Sequence, residues 1–130
     1  MFIDTSAIVA ILLGEESARR LEAAIGEAAI CLTSPVVILE ASMVLSSKWE
    51  VEPGYAESEV RFLLEKSGVA ITQIDDQIAT LAIAAFSKYG KGRSNSAKLN
   101  LADCLSYACA KQHRMPLLYI GDDFTATDLA

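Results

Sequence analysis

Four short apolar runs, separated by helical patterns, constrain this chain more than any other feature. Met1 to Asp4 is an apolar run that ends at an acid, which suits a buried first strand. Ile30 to Thr33, Val69 to Ile71 and Leu117 to Ile120 read as the second, third and fourth strands. The helical stretches are equally marked. Ser6 to Leu13 is continuous and apolar. About Glu15 to Ile25 carries Ala18, Leu21 and Ile25 at three- and four-residue spacing. Ser34-Pro35 opens a helix with proline at its first position, continued by Val36 to Lys48. A polar helix from about Gly54 to Lys66 closes at Gly68. Asp75 to Lys88 is helical. Tyr89 to Lys98, broken by Gly90, Gly92, Ser94, Asn95 and Ser96, is the one clear loop. Asn100 is a good N-cap for a helix running to Lys111. Strands alternating with helices predict an α/β layered fold around a mostly parallel sheet.

With 130 residues and no repeat or linker, the chain makes a single domain over residues 1–130. Its 52% hydrophobic content supports a sizeable core and argues against disorder. No stretch approaches the roughly 18 apolar residues of a membrane span. Met1-Phe2-Ile3-Asp4 lacks the basic start of a secretory signal, so a cytoplasmic protein is expected. Cys31, Cys104 and Cys109 are odd in number and form no C-x-x-C pair; they read as reduced core residues. The net charge of −6 counts against a broad basic surface for nucleic acid. It does not count against a nuclease, because carboxylates that hold cations add to the negative sum and bound ions reverse it locally.

Acids stand where solvated surface charge is not expected. Asp4 follows Phe2-Ile3. Glu40 lies within Val36 to Leu45, where no other charge occurs. Asp103 lies within Leu99 to Leu105, and Asp122 and Asp123 follow Leu117 to Gly121. Asp4 and the Asp122-Asp123 pair also fall at strand carboxyl ends, where α/β folds bind ligands. A carboxylate in apolar surroundings is costly unless paired or bound to a cation. Asp103 alone could be an N3 acid serving the helix dipole. The acids together, with few basic residues in the same segments, favour a shared cation. Hard oxygen donors without a histidine cluster or thiolate pair point to Mg²⁺ or Mn²⁺ rather than zinc. Such ions serve phosphodiester cleavage by activating water. Thr5, Ser6, Asn100 and Thr127 are candidates to fix waters beside the acids, with local capping as the alternative for each.

These motifs, in order, resemble VapC-type PIN domains, the ribonuclease toxins of type II toxin–antitoxin pairs. Met1 to Ala7 resembles the family's opening motif, Ser34 to Leu45 its second, Tyr89 to Arg93 with Ala97 to Tyr107 its third, and Leu117 to Asp128 the C-terminal motif of one subgroup. The resemblance covers nearly the whole chain. It implies a three-layer α/β/α PIN fold and a Mg²⁺- or Mn²⁺-dependent endoribonuclease. It also implies a homodimer and a hetero-oligomer with a cognate antitoxin. By position it carries over Asp4, Glu40 and Asp103 as catalytic and metal-binding acids. Many PIN domains place a fourth acid where this chain has Gly121, so Asp122, nearer the strand end, is taken as the fourth, with Asp123 supporting. Leu101-Ala102-Asp103 departs from the Phe-Gly-Asp often seen there, a change for packing rather than chemistry.

Lys88, Lys91, Arg93 and Lys98 form the densest basic stretch and are candidates for RNA phosphates. Lys111, His113 and Arg114 read as charge complementing a helix C-terminus. Trp49, Tyr55 and Phe62 read as core or as a groove for an antitoxin helix. Two other functions fit less well. A haloacid-dehalogenase-type phosphatase wants a second Asp where Ser6 stands, and a receiver domain wants an acid after the third strand, where Ile71-Thr72-Gln73 offers none. A PIN-like binding module that lost activity would not be expected to keep its acids.

Overall fold

The computed structural model describes residues 1–93 and 96–130. Ser94 and Asn95, two of the loop residues named above, lie outside the described residues. The order is β1 (Phe2–Ile3), α1 (Thr5–Leu12), α2 (Ala18–Glu27), β2 (Leu32–Thr33), α3 (Pro35–Trp49), α4 (Pro53–Lys66), β3 (Ala70–Ile71), α5 (Asp76–Tyr89), α6 (Leu101–Gln112) and β4 (Leu117–Leu118). The sheet runs β3-β2-β1-β4 and every pairing is parallel. Phe2 sits opposite both Leu32 and Leu117, which fixes the register of the central strand.

Phe2 and Ile3 are both fully buried. Neighbouring residues on a strand point to opposite faces. Helices therefore cover both faces of β1, as the three-layer reading requires. α6 packs on β1, α5 packs on α6, and α3 packs on α1 and α4. The chain steps from β1 to β2 to β3 in one direction, then returns to place β4 on the other side of β1. The strand order thus reverses between β1 and β4, and such a switch point opens a crevice beyond the strands' carboxyl ends.

Local chemistry explains where the helices start. The side chains of Asp4, Ser34, Asp75 and Asn100 each accept a backbone N–H of the first turn that follows. The strands are shorter than the apolar runs. Ile30 is exposed, and Ile120 leaves the ladder because its N–H donates to Ser6 Oγ instead. The three cysteines are free and buried, as expected. None of the described helices is long and apolar enough to cross a membrane.

Candidate active site

Asp4 and Gly121 to Asp123 leave the sheet on either side of the switch point. Asp4 is buried and caps α1. Its Oδ2 accepts the Ser6 backbone N–H at 3.1 Å and the Ser6 hydroxyl at 2.7 Å. The same Ser6 oxygen accepts the Ile120 N–H at 3.0 Å. One hydroxyl therefore joins the first acid to the end of β4, beside the segment that carries Asp122 and Asp123. Ser6→Ala is expected to orphan the partly buried Ile120 N–H and cost about 1–2 kcal/mol. Chemical denaturation would read this as a lower midpoint with an unchanged slope.

Asp103 enters from α6. Its Oδ2 accepts the Asn100 N–H at 3.1 Å while Asn100 Oδ1 accepts the Asp103 N–H at 2.9 Å, a reciprocal capping box. Asp103 thus does the helix-terminal work that was the alternative to a ligand role. A second observation separates the two. Its carboxyl is pushed up to about 7, chiefly by burial and further by the charges of Asp123, Asp4 and Glu40, against the lowering effect of the Asn100 N–H. A group that only capped a helix would be stabilised in its charged form. Glu40 is half-buried on α3. Acids from three other segments therefore bear on Asp103 beside the switch point.

Of the C-terminal acids expected at the site, Asp122 and Asp123, it is the charge of Asp123 that bears on Asp103, while the Asp122 carbonyl accepts from Thr125 in the turn that follows. Gly121 adopts φ +95, a conformation that strains any residue with a Cβ, and the chain turns there.

Thr127 is held by local bonds, donating to the Phe124 carbonyl at 2.7 Å and accepting the Leu129 N–H. That is the capping alternative. The Thr5 hydroxyl is buried and has no hydrogen-bond partner among the described residues. Lys91, Arg93 and Lys98 are all exposed. The Gly90–Leu99 bridge closes their loop immediately before Asn100, so the loop emerges at the start of the Asp103 helix. Arg93 lies 5.8 Å from the Phe86 ring centre. His113 sits beside Thr72, 3.1 Å away, and takes no part in the acid set.

One network escaped sequence reasoning. Asp128 accepts from Tyr107 Oη at 2.6 Å, from Lys111 Nζ at 2.6 Å and from Tyr89 Oη at 3.4 Å. Lys111 and Tyr107 hold its carboxyl below the usual range. Lys111, read from sequence as a helix-dipole charge, is tied to the C-terminal segment. Phe124, fully buried and edge-on to Tyr119 at 5.1 Å, secures the other end of that segment. No local pattern announces partners so far apart along the chain.

The donor set suits a hard cation. The ion pairs among the described residues are Arg61–Glu57 and Lys111–Asp128, so Asp4, Glu40, Asp103 and Asp123 have no cationic neighbour within ion-pair distance. The unpartnered Thr5 hydroxyl follows directly on Asp4. Among the described residues no three such side chains are drawn closely enough to enclose an ion directly.

Acids at the switch point of a parallel sheet stand where α/β folds bind their ligands. Comparison with known proteins gives the family. The PIN domain family model matches residues 1–129. A protein named Ribonuclease VapC from Mycolicibacterium smegmatis is 42% identical over 130 residues, covering 100% of this chain and 98% of its own. Ribonuclease VapC30 of Mycobacterium tuberculosis is also 42% identical, with 100% and 96% covered. Mycobacterium tuberculosis VapC20, described as a sarcin-ricin loop cleaving toxin, superposes with a TM-score of 0.76 at 17% identity, over 99% of this chain and 95% of that one. A toxin–antitoxin complex from Klebsiella pneumoniae gives 0.71 at 23% identity, over 98% and 92%. The chain belongs to the PIN-domain family and, within it, to the VapC proteins.

Proposed function

We propose that this protein is a divalent-cation-dependent endoribonuclease and the toxin half of a VapBC-like pair. The observation that carries the reading is that the charges of Asp123, Asp4 and Glu40 all bear on the buried Asp103, none of the four in an ion pair, beside the switch point of the sheet. Relatives 42% identical across the full chain, named as ribonucleases, supply the substrate class.

Asp4, Glu40, Asp103 and Asp123 would hold Mg²⁺ or Mn²⁺. When bound, the cation lowers the pKa of a coordinated water and offsets charge on the phosphodiester oxygens. The protein's own part is positional. Ser6 fixes Asp4 Oδ2. The capping box fixes Asp103 Oδ2, leaving its Oδ1 outside the box to accept a proton from water. The Thr5 hydroxyl donates a further hydrogen bond to a water beside Asp4. Lys91, Arg93 and Lys98 meet the RNA phosphates on the loop that leads into α6.

The antitoxin is proposed to dock beside Glu40. Leu39 and Met43 are exposed on α3 next to Glu40, and Tyr55 and Phe62 are exposed on α4. Leu39 and Met43 line a groove between the two helices. The Ser42 hydroxyl also lines it, buried and without a partner among the described residues.

The test is cleavage of a mixed RNA pool by purified protein, with Mg²⁺ or Mn²⁺ and with chelator. Asp4→Asn keeps the acceptor that caps α1. It is expected to lose roughly 10²–10³-fold in rate, the usual cost of removing one group that stabilises transition-state charge. Cleavage by Asp4→Asn at the wild-type rate, or undiminished cleavage in chelator, refutes the proposal.

A further inference from the structure

The four acids are not held alike. Ser6 fixes Asp4 and the capping box fixes Asp103. Glu40 is carried by the backbone of α3. Asp123 is exposed, and its side chain makes no hydrogen bond among the described residues. Its place is therefore set by a backbone that lies in no helix or strand. Beyond Gly121 the chain makes successive turns, closed from Thr125 to Asp122, from Thr127 to Phe124 and from Ala130 to Thr127. These bonds shape the segment without joining it to anything else.

Two kinds of contact make that join. Phe124, Ala126 and Leu129 pack against the core and set the depth of the segment. Apolar burial is non-directional, so it does not stop the segment from sliding. Direction comes from hydrogen bonds. Among the described residues, those that tie residues 121–130 to the rest of the chain all end on Asp128, with Tyr89, Tyr107 and Lys111 as donors. Asp103, Tyr107 and Lys111 stand at four-residue spacing and share one face of α6. Asp128 is thus fastened about 6 and 12 Å along that face from Asp103, at 1.5 Å per residue. Where the segment is pinned on this face decides where Asp123 lies relative to Asp103.

We propose that Asp128 is a positioning residue for the cleavage reaction: it sets the register of the C-terminal segment along α6 and so holds Asp123 beside the other acids. The proposal rests on the ribonuclease reading and assigns Asp128 no contact with RNA or cation. Tyr107 and Lys111 act with it, as the two donors at 2.6 Å.

Steady-state cleavage of an RNA oligonucleotide, chosen from sequences that wild type cuts, tests it. Asp128→Ala is expected to lower kcat about 10–10²-fold, with KM within a few fold, because a small misplacement is costly at a reacting centre. Tyr107→Phe removes one donor without changing charge and is expected to lower kcat severalfold. The deciding variant is Asp123→Asn/Asp128→Ala. Once Asp123 has lost its charge its placement matters little, so the pair is expected within about threefold of Asp123→Asn alone. A residue that served only the fold would reduce the active fraction whatever stands at position 123, and the two losses would multiply. Hydrogen exchange follows the segment without RNA. The Thr125 and Thr127 amides are expected to exchange about tenfold faster or more in Asp128→Ala, with those of Ile120 and Asp103 as in wild type. Should Asp128→Ala fail to fold by circular dichroism, Tyr107→Phe takes its place in both measurements. Multiplied losses, a wild-type kcat in Asp128→Ala, or unchanged exchange at Thr125 and Thr127 each overturn the proposal. If wild type cleaves no RNA, the ribonuclease reading fails and the proposal with it; an active wild type with an indifferent Asp128→Ala sinks the proposal alone.

Discussion

Asp103→Asn is expected to abolish RNA cleavage and, in metal-free buffer at pH 8, to make the protein melt at a higher temperature than wild type. Both effects have one cause. Burial and the charges of Asp123, Asp4 and Glu40 push the Asp103 carboxyl up to about 7. In an unfolded chain the same group titrates near 3.9. Between those values the folded state holds a proton that the unfolded state has lost. Stability from this group is therefore fully present below about pH 4 and is lost as pH rises through about 7. At pH 8 the folded wild type carries an uncompensated charge. Asparagine is neutral at every pH, and its side-chain oxygen can still accept the Asn100 N–H that closes the capping box. After allowance for solvent at the rim of the crevice, the relief is about 1–3 kcal/mol. That is roughly 5 °C or more in melting temperature for a domain of this size.

The pH course separates this from ordinary stabilisation. The gap between Asp103→Asn and wild type is expected to be widest at pH 8, to narrow toward pH 5 and to close near pH 4, where the carboxyl is protonated in the unfolded chain as well. Millimolar Mg²⁺ should also close it, by stabilising wild type and not the variant. Differential scanning calorimetry at pH 5 and pH 8, with and without Mg²⁺, measures all of this. A variant that melts below wild type at pH 8 would mean that Asp103 serves the fold and not a cation. Cleavage is expected to fall by roughly 10²–10³-fold or more, since a group that accepts a proton and supplies negative charge has been replaced by one that does neither.

Much of the fold was legible because its signals are local. Ser34-Pro35, Asp75 and Asn100 announce helix starts through hydrogen bonds that span two or three residues. The run Met1 to Ile3 announces a buried central strand because both of its faces are apolar. Asp4, Glu40 and Asp103 stood out for the same reason, as single charges in apolar segments. What the sequence could not show was set by distant contacts. Ser6 was visible as a hydroxyl near Asp4, but its bond to Ile120, 114 residues away, was not. That bond is what ends β4 at Leu118 rather than Ile120. The Asp128 clamp joins residues of α5, α6 and the C-terminal turns, and no spacing rule connects them.

The fourth acid gives the other large effect. Asp123→Asn is expected to lower the cleavage rate by roughly 10²–10³-fold, and Asp122→Asn to leave it within a few fold of wild type. The two residues are neighbours of the same type, so any difference between them measures direction and not composition. Gly121 at φ +95 begins the turn that carries both. The turn that follows uses the Asp122 carbonyl to hold Thr125, while Phe124 is buried under Tyr119 and Asp128 is clamped by Tyr107 and Lys111. With those anchors fixed, the charge of Asp123 reaches Asp103. Removing that charge should also lower the Asp103 pKa, so the calorimetric gap between pH 5 and pH 8 should narrow in Asp123→Asn and stay as in wild type in Asp122→Asn. The second readout needs no catalysis, which lets the geometry be checked even if the preferred RNA is absent from the assay. If Asp122→Asn proves to be the damaging substitution by both measures, the C-terminal turn is built differently from the one described, and the anchors at Phe124 and Asp128 do not set the aim of this segment.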